Sequence, residues 1–168
     1  MGKASQKQEV NEYHMSIHFG MATAMDALTG IYVGQKQAWS GRVTDSTPFQ
    51  VSNVNLFGGP KKEGGVAGYC YFLPGGPTQV MPEELAARRQ LTSATHPAFR
   101  GLASLYFVGN QTGTGLNSAI DQLLGFTSGG GGAKGFMWGA TPYMQDVWMR
   151  GERRPVGLND DYAMIGSQ

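Results

Sequence analysis

The sequence predicts a mainly β domain, a β-rich α+β fold of short antiparallel strands and hairpins with two short helices and long glycine-rich loops. Three observations carry that expectation. Apolar side chains alternate with polar ones over several short stretches, the period that a half-buried strand imposes. The 168 residues include 26 glycines and 8 prolines, more punctuation than an average domain carries. Hydrophobic residues make up 40%, and 8 Phe, 7 Tyr and 3 Trp supply bulky side chains for a single core.

Residues 1–12 are polar and aperiodic and are read as a flexible or partner-ordered arm. Over 13–19, Tyr13, Met15, Ile17 and Phe19 alternate with His14, Ser16 and His18, so a strand is expected. Ile31-Tyr32-Val33 and Gln37-Ala38-Trp39 flank Gly34-Gln35-Lys36 as strands flank a hairpin turn, with a stop expected at Ser40-Gly41. Phe49-Gln50-Val51-Ser52 alternates again, and 56–65 is a glycine-bracketed loop able to hold positive φ at several positions. A strand is expected over 66–73, punctuated by Pro74-Gly75-Gly76-Pro77.

Over 82–89 a short helix is expected, because Pro82, Glu83 and Glu84 open it and Arg88 and Arg89 close it, which complements the helix dipole. Residues 99–108 are apolar and β-compatible. A second helix is expected over 116–124, with Asn117 or Ser118 near its start. A flexible tract follows over 128–135, then the aromatic stretch Phe136-Met137-Trp138 and a final strand over 146–153. No repeat of about 20–50 residues is present, which sets solenoids and propellers aside.

Thirteen Lys+Arg oppose 12 Asp+Glu, a net charge of +1, and only 15% of residues are charged. That balance argues against a basic nucleic-acid footprint. So few charges suit a subunit whose surface is covered by neighbours rather than a free monomer. The lone Cys70 excludes an internal disulfide and two-cysteine chelation within one chain, and fits synthesis in a reducing cytoplasm. Neither a membrane span nor a secretory signal is read in the sequence. The start resembles a myristoylation signal except that Gln6 stands where Ser or Thr is required.

Each chemical motif has a plainer reading that prevails. Lys134 near the glycine tract lacks Walker spacing, since Ala133 precedes it and Gly135 follows. In Gly113-Thr114-Gly115-Leu116-Asn117-Ser118, Ser118 occupies the place of the third glycine of a dinucleotide turn, so helix capping is preferred. His14 and His18 would share a helix face, but on a strand four residues span about 13 Å, too far for one zinc. They are expected to face solvent or an interface. His96 has no nucleophile beside it in sequence, although the fold could bring Cys70 to it. Adjacent Glu83 and Glu84 point apart on a helix and are read as dipole complements, and Asp160-Asp161 as part of a solvated tail. Trp39, Phe57, Trp138, Tyr143 and Trp148 are candidates for contact: a stacking platform for sugar, or packing in the core and between subunits. No cofactor, metal or catalytic group is expected.

One ordered series of motifs carries a resemblance. Ser16-Ile17-His18-Phe19-Gly20-Met21 is followed by Ile31-Tyr32-Val33-Gly34-Gln35-Lys36-Gln37-Ala38-Trp39-Ser40-Gly41 and by Asn55-Leu56-Phe57-Gly58-Gly59-Pro60-Lys61-Lys62-Glu63-Gly64-Gly65. Then come Leu73-Pro74-Gly75-Gly76-Pro77-Thr78-Gln79, Pro97-Ala98-Phe99-Arg100-Gly101, Gly139-Ala140-Thr141-Pro142-Tyr143-Met144, Trp148 and Arg153-Arg154-Pro155. This series resembles the N-terminal region of the central hub, or tail-tip, protein of long-tailed bacteriophages. The likeness spans most of 13–155, read as one β-rich domain, with 156–168 as a tail or the start of a further region. Against the family's order, 109–134 looks like an insertion, and the chain stops where such hubs continue.

The resemblance implies a structural, non-enzymatic virion component at the tail tip, assembled in the host cytoplasm and without a membrane anchor. Such hubs form a homo-oligomer, typically a trimer, that closes the tail tube and anchors tip proteins for host attachment. Implied partners are the distal tail protein, the tape-measure protein and other tail-tip proteins, with DNA passing through without sequence-specific binding. Lys61, Lys62 and Glu63, bracketed by glycines, are then either a contact loop hinged on both sides or a solvated turn. The alternative function is a receptor- or carbohydrate-binding module of the same tip.

Overall fold

The computed structural model describes residues 12–59, 62–87, 90–108, 135–141 and 143–153. Seven strands and one helix follow in the order β1 (Ile17–Thr23), β2 (Ala27–Val33), β3 (Lys36–Val43), β4 (Phe49–Asn53), β5 (Val66–Leu73), α1 (Glu83–Ala87), β6 (Leu102–Val108) and β7 (Val147–Glu152). The strands form two antiparallel sheets, ordered β1-β6-β5-β4 and β3-β2-β7. The mainly β expectation therefore holds.

A sandwich core lies between the sheets. Val51, Val66, Cys70, Phe72, Ala103, Leu105 and Phe107 of the four-stranded sheet meet Leu28, Ile31, Val33 and Ala38 of the three-stranded one. The outer face of the four-stranded sheet is also covered: Tyr69, Tyr71, Leu73 and Val108 pack with Met81 and with Leu85 of α1. Strand β5 is thus buried on both faces. That is why 66–73 reads as an unbroken apolar run, whereas β4 and β7 alternate.

Three elements differ from their expected bounds for identifiable reasons. In the strand expected over 13–19 the regular ladder runs only from Ile17, and 13–15 pair with 136–139 across a break in the partner strand: Tyr13 N donates to Gly139 O (2.8 Å), Met15 N to Phe136 O (2.9 Å), and Trp138 N to Tyr13 O (2.9 Å). No stop occurs at Ser40-Gly41. The Trp39 ring lies over Gly41, filling the space its missing side chain leaves, and β3 runs on to Val43. The strand expected over 99–108 starts at Leu102, since Phe99 (φ 48°) and Gly101 (φ 84°) form a turn closed by Leu102 N on Phe99 O.

Among the described residues there is one helix, and it is short. At five residues it is too brief to persist alone, and burial of Leu85 and Ala86 holds it on the sheet. Arg88 and Arg89, the second helix expected over 116–124 and the glycine tract of 128–134 lie outside the described residues. So do the N-terminal arm before Glu12 and the tail after Arg153. No helix among the described residues is long and apolar enough to cross a membrane.

Candidate functional site

The outer face of the three-stranded sheet carries an exposed aromatic side chain, Trp148. In β7, Val147 and Met149 turn into the core, so Trp148, Arg150 and Glu152 turn outward. Trp148 stands opposite Tyr32 of β2 and is 63% exposed. Gln37 Nε2 donates to the Tyr32 hydroxyl at 3.3 Å. Across the central strand, Arg42 of β3 and Glu152 of β7 form an ion pair at 3.2 Å, exposed on both sides and so worth little in stability. Tyr143, just before β7, is 70% exposed. An apolar aromatic surface rimmed by polar groups suits contact with another molecule.

The five candidate aromatics do not form one platform. Trp138 (7% exposed) and Phe57 (9%) belong to the sandwich core, and Trp39 is half-buried with its ring 4.7 Å from Phe49. Trp138 Nε1 donates to Met15 O at 2.9 Å, which satisfies its one polar atom inside the protein. Phe57 and Trp138 are withdrawn into the core, while Trp39 keeps part of its surface exposed. Only Tyr143 and Trp148 face outward. Tyr32, which flanks Trp148, escaped attention because Ile31-Tyr32-Val33 reads as a uniformly apolar strand; its phase opposite to Ile31 and Val33 was the available signal.

The glycine-bracketed loop is pinched by a glycine pair. Gly59 and Gly64 pair with each other, Gly64 N donating to Gly59 O at 3.0 Å and Gly59 N to Gly64 O at 3.2 Å. Both take positive φ, which fits their residue type. Lys62 and Glu63 are exposed at its tip, while Lys61 lies outside the described residues. The tip is anchored through its backbone, with Ala140 N donating to Glu63 O at 2.9 Å.

His14 and His18, expected to face solvent or an interface, are both partly buried within the chain. His14 is half-buried, its Nδ1 donating to Gly135 O at 2.8 Å and its Nε2 lying 3.4 Å from the Glu12 carboxylate. His18 lies edge-on to Phe99 and Tyr106, each ring centroid 5.5 Å away. His96 is buried beside Phe99, with Nδ1 donating to Pro97 O. These contacts put His96 on the helix-covered face of the four-stranded sheet, whereas Cys70 points into the sandwich core. The sheet separates the two, so they form no nucleophile pair. Burial pushes the Cys70 thiol well above its ordinary pKa.

Glu83 acts differently from a dipole complement alone. Its carboxylate accepts the Ser93 N–H at 2.9 Å, and hydrogen bonding from the Ser93 side chain together with that N–H lowers its pKa. Among the described residues no group of three or more His, Cys, Asp or Glu side chains could hold a metal ion. The 113–118 turn, Lys134 and Asp160-Asp161 lie outside the described residues. No protein-family profile matches this chain, and no curated protein matches it.

Proposed function

We propose that this chain is a structural, non-enzymatic subunit of a bacteriophage tail tip, working through shape and surface contact. The observation that carries the reading is that the motifs of the resemblance meet in space as pairs. The 73–79 motif is tied to the 97–101 motif: Gly101 N donates to Gly75 O (2.7 Å), Gln79 Nε2 to Ala98 O (2.6 Å) and Arg100 Nε to Gln79 O (3.1 Å). The 55–65 motif is tied to the 139–144 motif through Glu63 and Ala140, and a β carbon on Gly64 would lie 3.4 Å from Gly139 Cα. Loops that are far apart in sequence and lock together by backbone and side-chain hydrogen bonds make a rigid surface, which a ring subunit needs.

In this reading the chain forms a homo-oligomer, a trimer at the tail tip, and contacts the distal tail, tape-measure and other tip proteins. It is assembled in the host cytoplasm and carried in the virion. The face around Trp148 and Tyr32 is the surface offered to a neighbour. Co-expression with bacteriophage tail proteins, followed by mass measurement and electron microscopy of the particle, tests this. Density for the chain on the tail axis at the tip is expected, and Trp148→Ala should abolish co-assembly. A well-behaved monomer that never enters a tail would refute it.

Exposure of Trp148 and Tyr143 also favours a second reading, a receptor- or carbohydrate-binding module of the same tip. Glycan binding that is lost on Trp148→Ala, with assembly retained, would select it over the first.

A further inference from the structure

Strand β6 and the segment 136–138 lie in one lane of the four-stranded sheet. β6 runs between β1 and β5, antiparallel to both. At its end Val108 opposes Tyr69, and two steps back along β5 Ala67 opposes Met137, again antiparallel. On the other side Phe107 opposes Ile17, and three steps back toward the N-terminus His14 opposes Met137. Both neighbours therefore place Met137 two positions beyond Val108, and Phe136 in the position that directly follows Val108.

The side chains keep the same phase across the break. Phe107 points into the sandwich core and Val108 to the other face. Phe136 and Trp138 point into the core, and their rings lie 4.8 and 4.7 Å from that of Phe107. Backbone bonds continue as well: Met137 N donates to Ala67 O at 2.8 Å and Ala67 N to Met137 O at 3.2 Å. Two partners and the core phase agree on a single register, although the chain between Val108 and Phe136 is long.

The geometry points to a single strand, 102–108 plus 136–138, into which residues 109–135 are spliced as a removable insertion. The register of the lane closes across them, and the junction is a built-in site at which a segment can be lost or exchanged without changing the fold. The direct splice removes Gly135 O, the acceptor of the His14 Nδ1 hydrogen bond at 2.8 Å. The inference rests on register alone and does not depend on the tail-tip reading.

Two deletions in the full-length chain test it. One removes 109–135 and joins Val108 to Phe136; the other removes 109–134 and joins Val108 to Gly135. The second differs by one glycine, but it slips the lane by one residue and turns Phe136 and Trp138 to the wrong face. Thermal melting followed by near-ultraviolet circular dichroism should show a single cooperative transition for the first and its loss, or a large fall in midpoint, for the second. The proposal is overturned if the direct splice is no better folded than the slipped one, whether both unfold or both survive.

Discussion

Phe136 rests against the backbone of Gly68, so closely that a β carbon on Gly68 would stand 2.4 Å from Phe136 Cδ2. Gly68 also holds φ 151°, which side-chain-bearing residues rarely adopt. Gly68→Ala must move Phe136 out of a ring cluster that includes Phe107 and Trp138. The expected cost is about 3 kcal/mol, from overpacking together with backbone strain. Chemical denaturation measures it, and a cost below about 0.5 kcal/mol, the range of a neutral surface change, would contradict the packing described.

Trp138 and Trp148 should respond oppositely to truncation. Trp138→Ala opens a cavity beside Phe107 and Phe136 and removes a hydrogen bond to Met15 O, at an expected cost of about 3–5 kcal/mol. Trp148→Ala loses only a cross-strand pairing with Tyr32 at the surface, with an expected cost of about 1 kcal/mol or less. Urea unfolding midpoints of the two variants, compared side by side, check the ranking.

Gln79 ties the 73–79 and 97–101 loops together. Its Oε1 accepts from Gly75 N at 2.7 Å and its Nε2 donates to Ala98 O at 2.6 Å, while its own carbonyl accepts from Arg100. Gln79→Ala leaves the first two groups without that partner, for an expected loss of about 1–3 kcal/mol. Hydrogen exchange should show faster exchange at Gly75, which locates the loss. Unchanged exchange there would count against this role.

Cys70 should be inert while the protein is folded. Burial in the sandwich core raises its pKa and shields the sulfur. A thiol reagent at neutral pH is expected to label it only in denaturant, with a rate that follows unfolding. Fast stoichiometric labelling of the native protein would disprove the placement.

Glu83 sets a small pH dependence. Hydrogen bonding from the Ser93 side chain, and then from its N–H, favours the ionised form and lowers the Glu83 pKa below the ordinary 4.5, so its contribution is present above that value and fades as pH falls through the depressed folded pKa. The group is exposed, so the effect is local. Nuclear magnetic resonance titration of the Ser93 amide should report a midpoint below 4.5, and Glu83→Gln should abolish the titration. A midpoint above it would reverse the assignment.

Sequence alone determined the local character of the chain. The alternation in 49–52 and 146–153, the hairpin turn at Gly34 and the unbroken apolar run of 66–73 each place a strand, because strand pleat and turn stereochemistry act over a few neighbouring residues. The tertiary structure decided which of those residues are exposed and which lanes they share. Trp138 and Trp148 look alike in sequence, yet one is in the core and the other outside. Burial depends on what the opposite sheet covers. Likewise the sequence marked residues after 108 as a likeness-breaking insertion, but only pairing with Ala67 and His14 shows that Phe136 resumes the lane of Val108. Register is fixed between strands far apart in the chain, where no local pattern reaches.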